Sequence, residues 1–130
     1  MKEKIYRLIS HMKGTDITQE YQGITEIHNV HDLEKFQEKY LKKLLHHTYR
    51  NVPYYKKIFD DIGVIDNEKV NLSKFQEIPI LTKKILREHL KDLTSSDKDT
   101  RKWFYNYSGG STGEPTKFIQ DRCYWHWNQA

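Results

Sequence analysis

Three glycines and a proline fall within the seven residues from Gly109 to Pro115, inside the stretch Tyr107-Ser108-Gly109-Gly110-Ser111-Thr112-Gly113-Glu114-Pro115-Thr116-Lys117. On either side the residues favour extended chain. Trp103, Tyr105 and Tyr107 alternate with Phe104 and Asn106, which is a strand pattern rich in β-formers. Thr116 to Ile119 reads as a second short strand, so the glycine-rich segment joins two strands. Glycine lets backbone N–H groups approach a ligand with no Cβ in the way. Serine and threonine add hydroxyl donors, and successive main-chain N–H groups in a turn form a concave anion site. That chemistry suits a phosphate. The candidate contacts are Ser108, Gly109, Gly110, Ser111, Thr112 and Gly113, with Thr116 and Lys117 at the far end of the loop.

Two familiar phosphate loops do not fit. A Walker A loop needs G-x-x-x-x-G-K-[ST], and here Glu114 and Pro115 follow Gly113. A dinucleotide fingerprint needs G-x-G-x-x-G with a helix opening directly on the glycines, and neither is present.

Upstream the chain reads mainly helical over residues 1–100. Ile5, Leu8, Ile9 and Met12 lie at helical spacing before Gly14. Residues 15–30 are weakly β-like around Ile24-Thr25-Glu26-Ile27. Leu33, Phe36, Tyr40, Leu41, Leu44 and Leu45 recur at three- and four-residue steps, predicting an amphipathic helix capped by Asp32 and ending near Tyr49. Pro53 suits the first turn of a second helix, whose apolar face is Tyr54, Tyr55, Ile58, Phe59 and Ile62 and whose end is Gly63. Ser73-Lys74-Phe75-Gln76 has capping-box spacing. Glu77 to Leu81 is an extended connector, because Pro79 disfavours helix at Ile78. Thr82 caps a helix with Ile85, Leu86, His89, Leu90 and Leu93 inward, and a polar loop covers 94–100. Residues 101–130 then read strand, phosphate loop, strand and helix, with Asp121 capping a helix that carries Tyr124, Trp125 and Trp127.

Composition removes several classes. The 130 residues hold 22 basic and 18 acidic side chains, a net charge of +4 that does not by itself call for nucleic acid. One cysteine, Cys123, excludes an internal disulfide framework and fits a reducing compartment. The N-terminus lacks the apolar core of a signal peptide, and no window reaches the length of a membrane span. The chain therefore reads as cytoplasmic, with no membrane partner. Cys123-x-x-His126 and His28-x-x-His31 have two-ligand spacing, but a structural zinc site needs four converging ligands, so no metal site is assigned.

The order Ser108-Gly109-Gly110-Ser111-Thr112-Gly113 with Pro115 resembles the phosphate-binding signature of the adenylate-forming superfamily. More narrowly, the chain resembles the N-terminal part of phenylacetate–coenzyme A ligase-like proteins and their capsular-polysaccharide biosynthesis relatives. Further stretches agree in order and spacing: Leu45 to Tyr55, Phe75 to Lys83, and Asp121 with its aromatic followers. Many superfamily members carry lysine where Thr116 stands, and here Lys117 comes one place later. Alternation on a strand turns Lys117 to the face opposite Thr116.

The resemblance implies an α/β fold, or α+β for the chain as it stands, with 1–130 forming a partial N-terminal domain. It implies a reaction of a carboxylate with ATP and Mg2+ to give an acyl-adenylate, followed by transfer to a thiol such as coenzyme A. The adenine pocket, the metal-binding acid and the catalytic lysine of such enzymes lie downstream, so the catalytic residues are unassigned here. The chain by itself is expected to be inactive and to hold no cofactor tightly, and a separately encoded remainder is a candidate partner. Two other classes compete. One is a small basic nucleic-acid-binding module using Lys42, Lys43, His46, His47 and Arg50 beside Tyr49, Tyr54 and Tyr55, though Glu34, Glu38, Asp60 and Asp61 dilute that field. The other is a non-catalytic interaction module.

Overall fold

A computed structural model describes residues 24–109, 115–122 and 124. The expected helix over 1–12 and the aromatic positions Trp125 and Trp127 lie outside them. Three α-helices, two antiparallel hairpins and several single turns make up the described chain, so helix and strand are mixed.

Helix α1 runs from Val30 to Asn51 and α2 from Pro53 to Ile62. The cap of α1 is Asn29 rather than Asp32. The Asn29 side chain accepts from the Asp32 N–H at 3.0 Å, while Asp32 sits in the first turn, where its charge favours the positive end of the helix. Ile24 and Thr25 are helical, which corrects the β-like reading of that segment. Two β-branched residues at 24 and 25 suggest a strand, yet the Ile27 N–H closes a turn on the Ile24 carbonyl at 3.2 Å.

Pro53 stands at the start of α2, where its missing N–H is no loss. Gly63 ends that helix with φ +74°, the left-handed conformation glycine adopts without strain. A tight hairpin follows, unmarked by any glycine: β1 (Ile65–Asp66) pairs with β2 (Lys69–Val70). Asn67 and Glu68 form its turn with φ 45° and 65°. Positive φ at both central positions matches the twist of a two-residue hairpin. Asparagine tolerates this, whereas glutamate is held there by its neighbours. The His46 Nε2–H donates to the Glu68 carbonyl at 2.8 Å, and the Arg50 guanidinium pairs with the Glu68 carboxylate.

The core lies where these pieces meet. Leu45 of α1, Phe59 of α2, and Val64 and Ile65 of the hairpin are buried, and Leu41, Tyr49, Tyr55, Ile58, Ile62, Val70, Leu72 and Ile78 pack around them. Of the residues expected at three- and four-residue steps, Leu41 and Leu45 of α1 and Tyr55, Ile58, Phe59 and Ile62 of α2 reach this core, whereas Leu33 and Leu44 are exposed.

Beyond β2 a 3-10 turn covers Leu72–Glu77. Its cap is Asn71, whose side chain accepts from Ser73 N–H at 3.2 Å and Ser73 Oγ at 2.7 Å, so the capping-box reading of Ser73 gives way to an Asn cap two residues earlier. Thr82 caps the next helix as expected, its Oγ1 accepting from Ile85 N–H at 3.3 Å. That helix, α3, spans only Lys83–Glu88. The backbone then continues in turns, in which the Leu93 N–H still bonds the His89 carbonyl at 2.9 Å. The Asp92 carbonyl accepts from Tyr54 N–H at 3.1 Å, and Ser96 N–H donates to the Asn51 carbonyl at 2.7 Å.

Strand β3 (Trp103–Tyr107) pairs antiparallel with β4 (Lys117–Asp121), in a register that sets Trp103 against Asp121 and Tyr107 against Lys117. Strand β3 matches the alternation of Trp103 to Tyr107, and β4 runs two residues past the expected Thr116 to Ile119 and starts one later. Asp121 closes β4, and Arg122 and Tyr124 are helical.

Phe59 is the largest fully buried side chain of the core. Truncating it leaves a cavity that close-packed neighbours only partly fill, so Phe59→Ala should destabilise the chain by about 3–5 kcal/mol, read as a lowered urea midpoint. Gly63→Ala should cost about 1–2 kcal/mol for a different reason, the strain of positive φ.

Candidate functional site

The β3–β4 register delivers the two ends of the glycine segment to one place. Past Tyr107 and Lys117 the next opposed pair is Ser108 and Thr116. Ser108 N–H donates to the Thr116 carbonyl at 3.0 Å, and Thr116 N–H donates to Ser108 Oγ at 3.1 Å. The ladder thus ends with a side chain in place of a carbonyl, and the loop begins there. Ser108 Oγ is thereby used as an acceptor, which leaves its own proton to give away.

Thr116 is 3% exposed, and its Oγ1 has no hydrogen-bond partner among the described residues. A buried hydroxyl without a partner costs roughly 1–3 kcal/mol. Gly109, next to Ser108, has no special backbone conformation, and a Cβ built there meets nothing within 4 Å. Neither packing nor φ requires glycine at that point. Gly110, Ser111, Thr112 and Gly113 lie outside the described residues.

Alternation divides the hairpin into two faces. Ser108 and Thr116 share one with Phe104, Asn106, Phe118 and Gln120. Gln120 is buried and accepts from the Asn106 amide at 2.6 Å, a polar crosslink within the hairpin. Lys117 is on the other face with Trp103, Tyr105 and Tyr107. Its ammonium stands 3.6 Å from the centre of the Tyr105 ring, a cation–π contact that anchors it along the strand. The structure therefore brings Ser108, Gly109 and Thr116 together and sets Lys117 apart.

The hairpin is tied to the helices by a polar relay that single-residue reading did not reveal. Asp97 Oδ1 accepts from Ser95 Oγ, lies 2.8 Å from Arg101 Nη2, and stands 3.8 Å from His47 Nε2 on α1. Arg101 Nη1 in turn reaches Asp121 Oδ2 of β4 at 3.6 Å. The Ser95 hydroxyl, followed by the charges of Arg101 and His47, holds the Asp97 carboxyl below its ordinary value. Ser95, His47 and Asp97 are three residue types of a nucleophilic triad, but the arrangement is wrong for one. Serine donates to the aspartate, and the aspartate faces the same imidazole nitrogen as the serine. Beside this relay, Leu86, Leu90, Leu93, Trp103 and Ile119 line a cleft of about 270 Å³.

The other candidates resolve into pairs. His46 and Arg50 hold Glu68, Lys42 pairs with Glu38, and His47 faces Asp97. Tyr49 donates to Asp60 at 2.6 Å under the Lys56 ammonium, and Tyr54 and Tyr55 meet edge to face at 5.3 Å. Among the described residues no group of three or more His, Cys, Asp or Glu could hold a metal ion, and Cys123 and His126 lie outside them. Among the same residues no helix is long and apolar enough to cross a membrane.

With this geometry in view, sequence kinship narrows the class. The chain is similar to acyl–coenzyme A ligases of the phenylacetate type. It is 34% identical over 91 residues to phenylacetate-coenzyme A ligase of Escherichia coli (strain K12), covering 70% of this chain and 21% of that protein. It is 31% identical over 84 residues to the enzyme of the same name from Thermus thermophilus, covering 65% of this chain and 19% of that one. The chain thus spans about a fifth of the curated relatives it matches. No family model and no solved structure matches it.

The depressed Asp97 carboxyl sets an expected pH response. Its folded value lies below the unfolded value near 3.9, so the stabilisation is fully present above about pH 4 and is lost as pH falls through the folded value. Asp97→Asn should lower the melting temperature at pH 7 and flatten its decline between about pH 4 and pH 2. An equally steep acid decline in the variant would show that Asp97 is not responsible.

Proposed function

We propose that this chain carries the phosphate-holding hairpin of an ATP-dependent carboxylate ligase of the adenylate-forming type, related to phenylacetate–coenzyme A ligases. The observation that carries the reading is Thr116. At the base of a glycine- and hydroxyl-rich loop, a buried hydroxyl is left without a partner, which is unfavourable unless something else satisfies it.

The residues fit a phosphate. Ser108 retains a proton to donate, Thr116 has an unused hydroxyl, and the open space at Gly109 lets a ligand approach the backbone. ATP would supply the activating phosphates, and this segment would hold them with hydroxyl and amide donors. Such donors stabilise negative charge by being in place beforehand, without covalent chemistry. Gly110, Ser111, Thr112 and Gly113 would complete the cradle. Lys117, held over Tyr105, would contribute through the field near the loop rather than by contact. Magnesium, the carboxylate, the thiol acceptor such as coenzyme A, and the residues that perform chemistry would come from the larger protein or from a separately encoded partner. Capsular-polysaccharide biosynthesis is the setting we favour. Alone, the chain would bind phosphate weakly and turn nothing over.

Three measurements test this reading. Millimolar ATP should shift amide NMR signals of 108–117, and unchanged signals there would sink it. The chain alone should give no ATP–pyrophosphate exchange. Thr116→Val, which replaces the orphan hydroxyl with a methyl, should raise the melting temperature while weakening the ATP-induced shifts. A variant that is less stable with unaltered shifts would assign Thr116 to packing alone.

A further inference from the structure

At the end of the hairpin opposite the loop, the ladder is extended by one more pair. Arg122 N–H donates to the Lys102 carbonyl at 2.9 Å. With Trp103 opposite Asp121, this bond brings Lys102 beside Arg122, and both line the same hollow as Phe104. Two cations held side by side at the end of a hairpin repel one another unless an anion sits between them. The neighbouring cations are neutralised: Lys98 pairs with Asp99, and Arg101 with Asp97 and Asp121. Lys102 and Arg122 have no such partner among the described residues, and both are exposed.

An open hollow of about 640 Å³ lies at this point, lined by Arg101, Lys102, Trp103, Phe104 and Arg122. Phe104 is 37% exposed within it. Trp103 stands at its edge, held by a hydrogen bond from its Nε1–H to Asp99. A ring face beside two unpaired cations offers stacking and charge together, the pairing that recognises a base with its phosphate. The hollow exceeds the size of a single phosphate and matches that of a small ligand.

We propose that Lys102, Arg122 and Phe104 form a second anion site, which takes a mononucleotide with its phosphate between the two cations and its base on the Phe104 ring. The site is independent of the glycine loop, lying at the other end of both strands. Five residues separate Lys102 from Ser108, so the two ends of the hairpin are roughly 20 Å apart at about 3.4 Å per residue.

The test titrates the 130-residue chain with adenosine monophosphate, following amide NMR signals. Signals of 102–104 and 122 should shift together at low salt and respond less as salt rises. Lys102→Ala/Arg122→Ala should weaken binding about tenfold, and Lys102→Arg/Arg122→Lys should restore most of it. Phe104→Leu should weaken adenosine monophosphate while leaving inorganic phosphate unaffected. Ser111→Ala/Thr112→Ala in the loop should leave these signals unchanged, so failure here is distinct from failure of the loop reading. Several outcomes would overturn the site: shifts confined to 108–117, equal affinity in the double alanine variant, or inorganic phosphate binding as well as the nucleotide. Retention of oligo(A) without measurable binding of the mononucleotide would also reject it, in favour of a single-stranded nucleic-acid surface.

Discussion

The helix junction at Asn51 to Tyr54 is the point on which the described structure depends. Every helix end leaves backbone groups without intrahelical partners, and Val52 has no side chain that could cap α2. The missing partners come from a segment some forty residues later. Ser96 N–H meets the last carbonyl of α1, and the Asp92 carbonyl meets an early N–H of α2. One strand of chain thereby satisfies the end of one helix and the start of the next. Ahead of that segment α3 ends at Glu88 and the chain continues in turns, although the apolar spacing runs on to Leu93.

That segment also governs the hairpin. From Ser95 to Arg101 it carries the groups that connect α1 to β4: His47 to Asp97, Asp97 to Arg101, Arg101 to Asp121. Exposed ion pairs are individually weak, and this relay is partly exposed, so its value lies in geometry more than in energy. It fixes where β3 begins, and the register of β3 with β4 then fixes where the loop opens. The position of the glycine-rich segment is thus set by hydrogen bonds at a helix junction remote from it.

Much of this was legible beforehand because short-range physics dominates it. The apolar steps from Leu33 to Leu45, the Pro53 start, the Gly63 stop, the Thr82 cap and the alternation of Trp103 to Tyr107 each follow from local geometry. The misreadings have a common cause. Asn29 displaced Asp32, and Asn71 displaced Ser73, because several residues nearby could cap and only the path of the entering chain selects among them. The Asn67-Glu68 turn had no glycine to announce it. Glu68 holds a left-handed conformation only because His46 and Arg50, about twenty residues earlier, grip it.

The candidate site divides along the same line. Residue types alone predicted a turn-forming segment between two strands, rich in the donors a phosphate needs, since glycine, hydroxyl and proline act on their immediate neighbours. Tertiary structure decided how those donors are used. It spent the Ser108 oxygen on closing the ladder, buried Thr116 without a partner, and turned Lys117 onto Tyr105. Local chemistry can specify a turn and its hydroxyls, but burial and pairing are set by atoms brought from elsewhere in the chain, and those positions are known only after folding.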